Sequence, residues 1–258
     1  MVKCEGVHAA QKRSVRDLGI IVVVSDEEDA KFFNQVLRQD DIVAMFGLKR
    51  WFLRWLTRPK ILVSRHSLPQ LRQTLMQLKD LRISYINYNP EQWKSAHVPR
   101  EELEDLPKAV KAARALADQY GVKLSFVTDY ILLEKFGEQV APLVDLFGIQ
   151  LQRYQLEPLE RFRRRAERMV AVVRRGSRTV PIVLQLSLAP PVFQIRRVRG
   201  KVKRVVLRDA QGRKKLRPLK AEQVLRHIEA VKDLADYVAF IHPPETRGEM
   251  RRLLKMLR

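Results

Sequence analysis

Cysteine is nearly missing from the chain: 258 residues carry one, Cys4. That excludes an internal disulfide and any zinc site built on several thiolates. Glycine is scarce as well, with ten in all, few for a set of loops that cradle phosphates. Neither G-x-G-x-x-G nor G-x-x-x-x-G-K-[ST] occurs, so dinucleotide and P-loop readings find no support. H-E-x-x-H and G-x-S-x-G are also absent, which leaves metalloprotease and α/β-hydrolase chemistry without a motif. Near the N-terminus the longest apolar run is "IIVVV", residues 20–24. It is too short for a signal-peptide core or a membrane span. The expectation is a cytoplasmic protein with no membrane partner, no cofactor and no metal.

Acidic side chains are the remaining shortage, 29 against 50 basic ones, for a net charge of +21. The deficit is local. Residues 1–150 carry 22 basic and 19 acidic side chains, residues 151–220 carry 21 and 4, and residues 221–258 carry 7 and 6. A local basic field attracts polyanions. The plainer reading is an arginine-rich surface with no dedicated partner, although a uniform bias would have spread the charge.

What is present is alternation. Strand-length apolar runs at 19–24, 41–47, 60–64, 83–89, 123–128, 146–152, 181–187 and 237–241 each precede a helical pattern. The helical patterns cover 27–39, 48–56, 68–81, 100–120, 132–143, 159–175, 221–234 and 246–258. Strict strand–helix alternation implies a parallel sheet with crossover helices. Eight such units over this length predict an α/β fold, a single (β/α)8 TIM-like barrel spanning 1–258. The competing arrangement is an open doubly wound sheet. One segment, 192–219, breaks the pattern. Within it "KRVVLRDAQGRKKLR" reads as two short strands around a turn at Asp209–Gly212, a basic β-hairpin inserted after strand 7. In a barrel this places the most basic element at the C-terminal face, where barrel enzymes carry their active sites.

Three strands carry amides or hydroxyls spaced by two at their C-terminal ends: Asn87 and Asn89, Gln150 and Gln152, Gln185 and Ser187. The helix-facing side of a barrel strand is apolar, so these residues should point into the mouth. Buried amides are costly unless bonded. The ring is read as a pocket for a polar, hydroxyl-rich ligand, with a self-satisfied polar plug as the plainer alternative. Glu91, Trp93, Asp129, Tyr130, Arg153, Tyr154 and His242 also fall at or just beyond strand ends. Trp93 can stack on a sugar face, and Glu91 with Asp129 form the candidate catalytic carboxylate pair. Each has a bland alternative: Pro90–Glu91 as a chain turn, Asp129 as a helix cap, His242 and His66 as structural histidines. In "SDEED", Asp26 reads as a helix start.

The stretches "YNPEQW" (88–93), "DLPKAVKAARALADQYGVKL" (105–124), "TDYILLEKFGEQVAPLVDLFGIQLQRYQ" (128–155) and "PIVLQLS" (181–187) resemble uncharacterised bacterial (β/α)8-barrel proteins that are distantly similar to glycoside hydrolases. The resemblance covers about the middle half of the chain. It implies a barrel with its ligand site at the strand C-termini, and it assigns no reaction. The basic segment 192–219 and the charged helix 159–175 depart from that pattern, which points away from a neutral glycan.

Three functions compete. The first is a glycoside-hydrolase-like barrel that binds or cleaves a polar, anionic carbohydrate. The second is a non-catalytic polyanion module, with nucleic acid as partner, using Arg196, Arg197, Arg199, Lys201, Lys203, Arg204, Arg213, Lys214 and Lys215 beside the basic helix. Sparse aromatics there, Phe162 and Phe193 only, give no stacking platform for single strands. The third is an assembly role toward an acidic protein. Nothing in the sequence sets the oligomeric state.

Overall fold

The computed structural model describes residues 13–77, 81–92, 97–198 and 201–258, without the side chains of 195–204. Eight parallel strands close into a barrel: β1 (Gly19–Val23), β2 (Ile42–Phe46), β3 (Lys60–Arg65), β4 (Tyr85–Tyr88), β5 (Lys123–Thr128), β6 (Leu146–Gln150), β7 (Ile182–Ser187) and, after the two strands of an insertion, β10 (Tyr237–Ile241). β1 pairs with β10 and β2, which seals the cylinder and leaves no open edge. The helices α1 (Glu27–Val36), α2 (Arg50–Leu53), α3 (Leu68–Met76), α4 (Arg100–Glu104), α5 (Leu106–Gln119), α6 (Tyr130–Val140), α7 (Leu159–Gly176), α8 (Ala221–Val231) and α9 (Arg247–Leu257) connect the strands. The predicted (β/α)8 architecture is the one observed. Among the described residues, no helix is long and apolar enough to cross a membrane.

The period of two along each strand divides the core. Val22, Val43, Val63, Ile86, Phe126, Phe147, Leu184 and Phe240 face outward and pack beneath the helices. Ile21, Ile42, Leu62, Tyr85, Leu146 and Val183 form a separate cluster inside the cylinder. The helices bury matching stripes. In α7, Phe162, Ala166, Met169, Val170 and Val173 recur at helical spacing and are buried. Gly176 ends that helix against the backbone of Glu138, where a Cβ would collide.

The expected helix over 100–120 is two helices. Asp105 adopts φ −126°, ψ 68° and caps α5 by accepting from the Lys108 N–H at 3.2 Å. Pro107 occupies the first turn of the new helix, where its missing N–H costs nothing. The insertion also differs from its expected form. Its main ladder is β8 (Phe193–Val198) against β9 (Lys201–Val206), antiparallel, and the chain between them lies outside the described residues. The turn at 209–212 does exist: the Gly212 N–H bonds the Asp209 carbonyl at 3.0 Å, and Gly212 has φ 75°. It closes only a short second pairing, Arg208 with Lys214.

One device recurs at the N-terminal end of the barrel. Asp41, Asp145 and Asp236 each stand one residue before a strand, and each accepts a backbone N–H from the neighbouring strand: Ile20 at 2.8 Å, Leu124 at 2.8 Å and Ile182 at 2.9 Å. Each also takes an arginine: Arg258, Arg114 at 2.6 Å and Arg174 at 3.6 Å respectively. The carboxylate supplies the ladder bond that the strand's own backbone does not yet reach. The floor of the barrel is thus closed by satisfied charges.

Candidate functional site at the barrel mouth

Register carries the inward parity from strand to strand: Ser64 lies beside Asn87, Asn87 beside Ser125, and Gln150 beside Gln185. The amides therefore line the inside of the C-terminal half, as their spacing predicts. Asn87, Asn89 and Gln185, but not Gln150, Gln152 or Ser187, border a cavity with ≈ 60 Å³ of room for the centres of water-sized molecules, ≈ 570 Å³ counting the space open to solvent. Its walls differ in character. Ser64, Asn87, Asn89, Ser125 and Gln185 give one side hydroxyls and amides, while Ile21, Val23, Ala44 and Ala239 make the other apolar. Phe46, half exposed at 46%, stands on the rim. Gly148 keeps the space open, since a Cβ there would collide with Val127.

The decisive feature is unmet hydrogen bonding. Asn87 and Asn89 are 5% and 6% exposed. The Asn87 amide nitrogen donates to Ser64 Oγ at 2.8 Å, yet its Oδ1 has no partner. Asn89 Oδ1, Gln185 Oε1 and, in the turn after β6, Gln152 Oε1 are also buried without partners. Each such group costs about 1–3 kcal/mol.

Glu91 lies three residues beyond the end of β4 and is not among the residues that line the cavity. The Gln150 amide nitrogen donates to Glu91 Oε1 at 2.7 Å. The chain around it is held from both sides. On the β3 side, the Asn89 N–H bonds the Arg65 carbonyl at 2.8 Å, and His66 donates through Nδ1 to the Asn89 carbonyl at 2.8 Å. On the β5 side, the Thr128 hydroxyl donates to the Pro90 carbonyl at 2.7 Å, and the Gln92 N–H reaches Asp129 Oδ2 at 3.2 Å. Asp129 itself is the N-cap of α6. Its Oδ1 accepts from the Ile131 and Leu132 N–H groups at 2.9 and 3.1 Å. Both Asp129 oxygens are thereby committed to backbone.

Arg153 lies over the Tyr130 ring, 4.1 Å from its centroid, and 5.5 Å from that of Phe193 at the base of the insertion. This stack ties the hairpin to the rim. Tyr154 is buried beneath, 5.6 Å from the same guanidinium. Ser187 is buried, and its backbone is clamped by the Gln155 side chain, which accepts at 2.7 Å and donates at 3.1 Å.

His242 departs from the expectation. It shares parity with Val238 and Phe240, so its ring turns to the helices, edge-on to Phe33 with centroids 6.2 Å apart. Its Nε2 lies 3.8 Å from Asp29 Oδ2, away from the mouth. Burial pushes the Asp29 carboxyl up, against the pull of His242 and Arg247. Trp93 and Arg199 lie outside the described residues, as do the side chains of Arg196, Arg197, Lys201, Lys203 and Arg204. Arg213, Lys214 and Lys215 are exposed on the second turn.

The basic helix proves largely neutralised. Arg163 pairs with Asp233 at 2.7 Å, Arg168 with Glu134 at 3.0 Å, and Arg175 with Glu138 at 2.9 Å. Asp233 holds the Arg163 guanidinium above its ordinary range despite some burial. These acids come from chain segments outside 151–220, which is why counting charge along the sequence overstates the field around α7.

Phe46, Ser64 and Ser125 were not singled out from the sequence. Parity on β3 and β5 marks the two serines. Phe46 is hidden in "DIVAMFG", a run apolar on both faces.

The closed parallel barrel with its cavity at the strand C-termini belongs to the TIM-barrel architecture. The chain is similar to the spore cortex-lytic enzyme SleL of Bacillus megaterium, with TM-score 0.60, 10% identity, and coverage of 96% of this chain and 74% of that one. It is similar to a chitinase of Chromobacterium violaceum, with TM-score 0.57, 12% identity, and coverage of 93% and 98%. It is also similar to a 3-keto-L-gulonate-6-phosphate decarboxylase of Vibrio cholerae, with TM-score 0.52, 5% identity, and coverage of 93% and 97%. At such identities the likeness establishes the fold alone. No protein-family model and no curated protein matches the chain.

Proposed function

We propose that the protein binds a polar carbohydrate, anionic in character, in the barrel mouth, with Glu91 as the group that exchanges a proton with it. The carrying observation is the set of buried amide oxygens on Asn87, Asn89 and Gln185 that lack partners. Acceptors without donors call for a ligand rich in O–H or N–H groups. The apolar wall and Phe46 suit the carbon face of a sugar ring. A chitinase and a cortex-lytic enzyme on the same architecture support a carbohydrate-related reading.

A second reading is binding without cleavage. It is favoured by Asp129, whose oxygens are both taken by backbone N–H groups. Two-carboxylate glycoside hydrolysis needs a second free acid. Thermal-shift titration with neutral and acidic oligosaccharides tests the binding claim, because a native-state ligand raises the melting temperature. No shift with any of them at low or high salt would sink it. Reducing-end release by wild type but not by Glu91→Gln would select catalysis. Equal binding by both with no release would select the second reading. A shift seen only with nucleic acid, and lost at high salt, would move the protein to the polyanion module.

A further inference from the structure

The cavity in the mouth is small, uncharged and two-sided. Among the described residues that line it, none is ionisable. A charge buried there would lose its water and gain no counter-ion, so the group that enters is neutral. The unpartnered oxygens stand on separate strands: those of Asn87 and Asn89 belong to β4 and its end, that of Gln185 to β7. In the closed barrel those strands are separated by β5 and β6, so one donor does not serve them all. Ser64 already accepts from Asn87 and keeps its own O–H for an oxygen of the occupant. On the other side Val23, Ala44 and Ala239 present only carbon. An occupant that meets both walls carries more than one O–H along one edge and C–H along the other.

Size narrows the choice. The room is ≈ 60 Å³ for the centres of water-sized molecules, whereas a cavity that holds benzene has about 150 Å³. A sugar ring therefore stays out, and a short hydroxylated tail goes in. Ile42, Tyr85 and Leu146 fill the cylinder below, so the tail stops there. Phe46 stands on the rim, where the carbon face of the attached ring would lie.

Building on the reading of the mouth as a carbohydrate site, we infer that the cavity seats the neutral, acyclic diol tail of a sugar, while the ring rests on Phe46 and its negative charge stays outside. The substrate class narrows to acidic sugars that carry an exocyclic vicinal diol. A ring with a lone hydroxymethyl group brings one O–H to the cavity and leaves acceptors on β4 or β7 unmet.

The test uses the full chain and saturation-transfer NMR, which detects weak ligands. The small probes are glycerol, the propanediol that lacks the middle hydroxyl, and glycolate. The sugar probes are the methyl glycoside of N-acetylneuraminate and the same glycoside with its tail shortened by periodate and borohydride. Wild type should bind glycerol at least about fivefold more tightly than the propanediol or glycolate, and the intact glycoside at least about tenfold more tightly than the shortened one. Gln185→Met should weaken glycerol and the intact glycoside by about five- to tenfold. Ala239→Leu, which fills the cavity from its apolar wall, should abolish glycerol binding. Both variants should keep the wild-type circular dichroism. The inference is overturned if the propanediol binds as tightly as glycerol, or the shortened glycoside as tightly as the intact one. It is also overturned if acidic oligosaccharides bind wild type and both variants alike, in which case the carbohydrate reading survives without the tail. If glycerol binds with the stated selectivity and no sugar binds, the carbohydrate reading fails, and the diol seat stands as a site for a free polyol.

Discussion

Replacing Asp41 by alanine removes one carboxylate and leaves three donors behind. Asp41 Oδ1 accepts the Ile20 N–H at 2.8 Å and Oδ2 the Arg38 N–H at 2.7 Å, while Arg258 reaches the same group at 2.5 Å. The ion pair is enclosed, with side-chain exposures of 2% for Asp41 and 10% for Arg258. Burial already weakens the hold of Arg258 on its proton, offset by Asp41. Breaking such a pair from one side costs about 3–5 kcal/mol, because the surviving charge stays buried. For a chain of this size each kcal/mol moves the melting temperature by roughly 2–4 °C. The expected fall is therefore about 6–20 °C by scanning calorimetry. Asp40→Ala, one residue away and paired with Lys60 in solvent, should change little. Arg258→Ala should cost less than Asp41→Ala, since Asp41 keeps its two amide bonds. The double variant should be less destabilised than the two losses added together. Strict additivity, or a fall below about 3 °C for Asp41→Ala, would refute the account of the floor.

The mouth should respond in the opposite sense. Gln185→Met keeps the shape but deletes an unpartnered acceptor, so the free protein should gain roughly 1 kcal/mol while the ligand-induced shift shrinks; a loss of stability would contradict this. Gly148→Ala presses on Val127 inside the cavity, and urea denaturation should show a cost of about 1–3 kcal/mol together with weaker binding. The Asp233 carboxyl is held below its ordinary range by hydrogen bonding to Arg163, against some burial. Its contribution is present above the unfolded carboxylate pKa and lost as pH falls through the lower folded value. Asp233→Asn should therefore cost about 1 kcal/mol at pH 7, as expected for a half-exposed pair, and nothing measurable once wild-type Asp233 is protonated. Tyr88 donates to Glu102 at 2.6 Å, and burial pushes its phenol well above the ordinary range. Tyr88→Phe should cost about 1–2 kcal/mol, and alkaline difference spectra of the native protein should lack this tyrosine.

Much of the barrel is legible because strands in a parallel sheet are buried on both faces and read as compact apolar runs. The inward amides were legible for the complementary reason: a polar residue repeated at period two inside such a run has only one face to occupy. The same count would have turned His242 outward with Val238 and Phe240. Its position just beyond a strand end drew it to the mouth instead. The break at Asp105 was masked by helix formers on both sides, and only Pro107 marked it. The hairpin was placed too late because "DAQG" carries the stronger turn chemistry, whereas β8 and β9 pair around a short connection with little signal of its own. The acids that neutralise α7 are far away in sequence, so no local count finds them. Asp41, Asp145 and Asp236 carry no mark in the sequence, because a ladder bond made by a side chain has no signature in one dimension.

The pairing of α7 changes what the net charge means for the molecule in motion. With those arginines matched, about half of the +21 resides in residues 192–219, at one side of the mouth. The other half is spread over the rest of the chain, so the molecule carries a net positive charge that is lopsided toward the insertion. Near a polyanionic surface the torque on such a body turns the insertion toward the surface before contact, so the mouth arrives already facing it. Adsorption to a cation-exchange matrix should likewise be oriented. A protease or labelling reagent applied to the bound protein would find the floor of the barrel open and the rim covered.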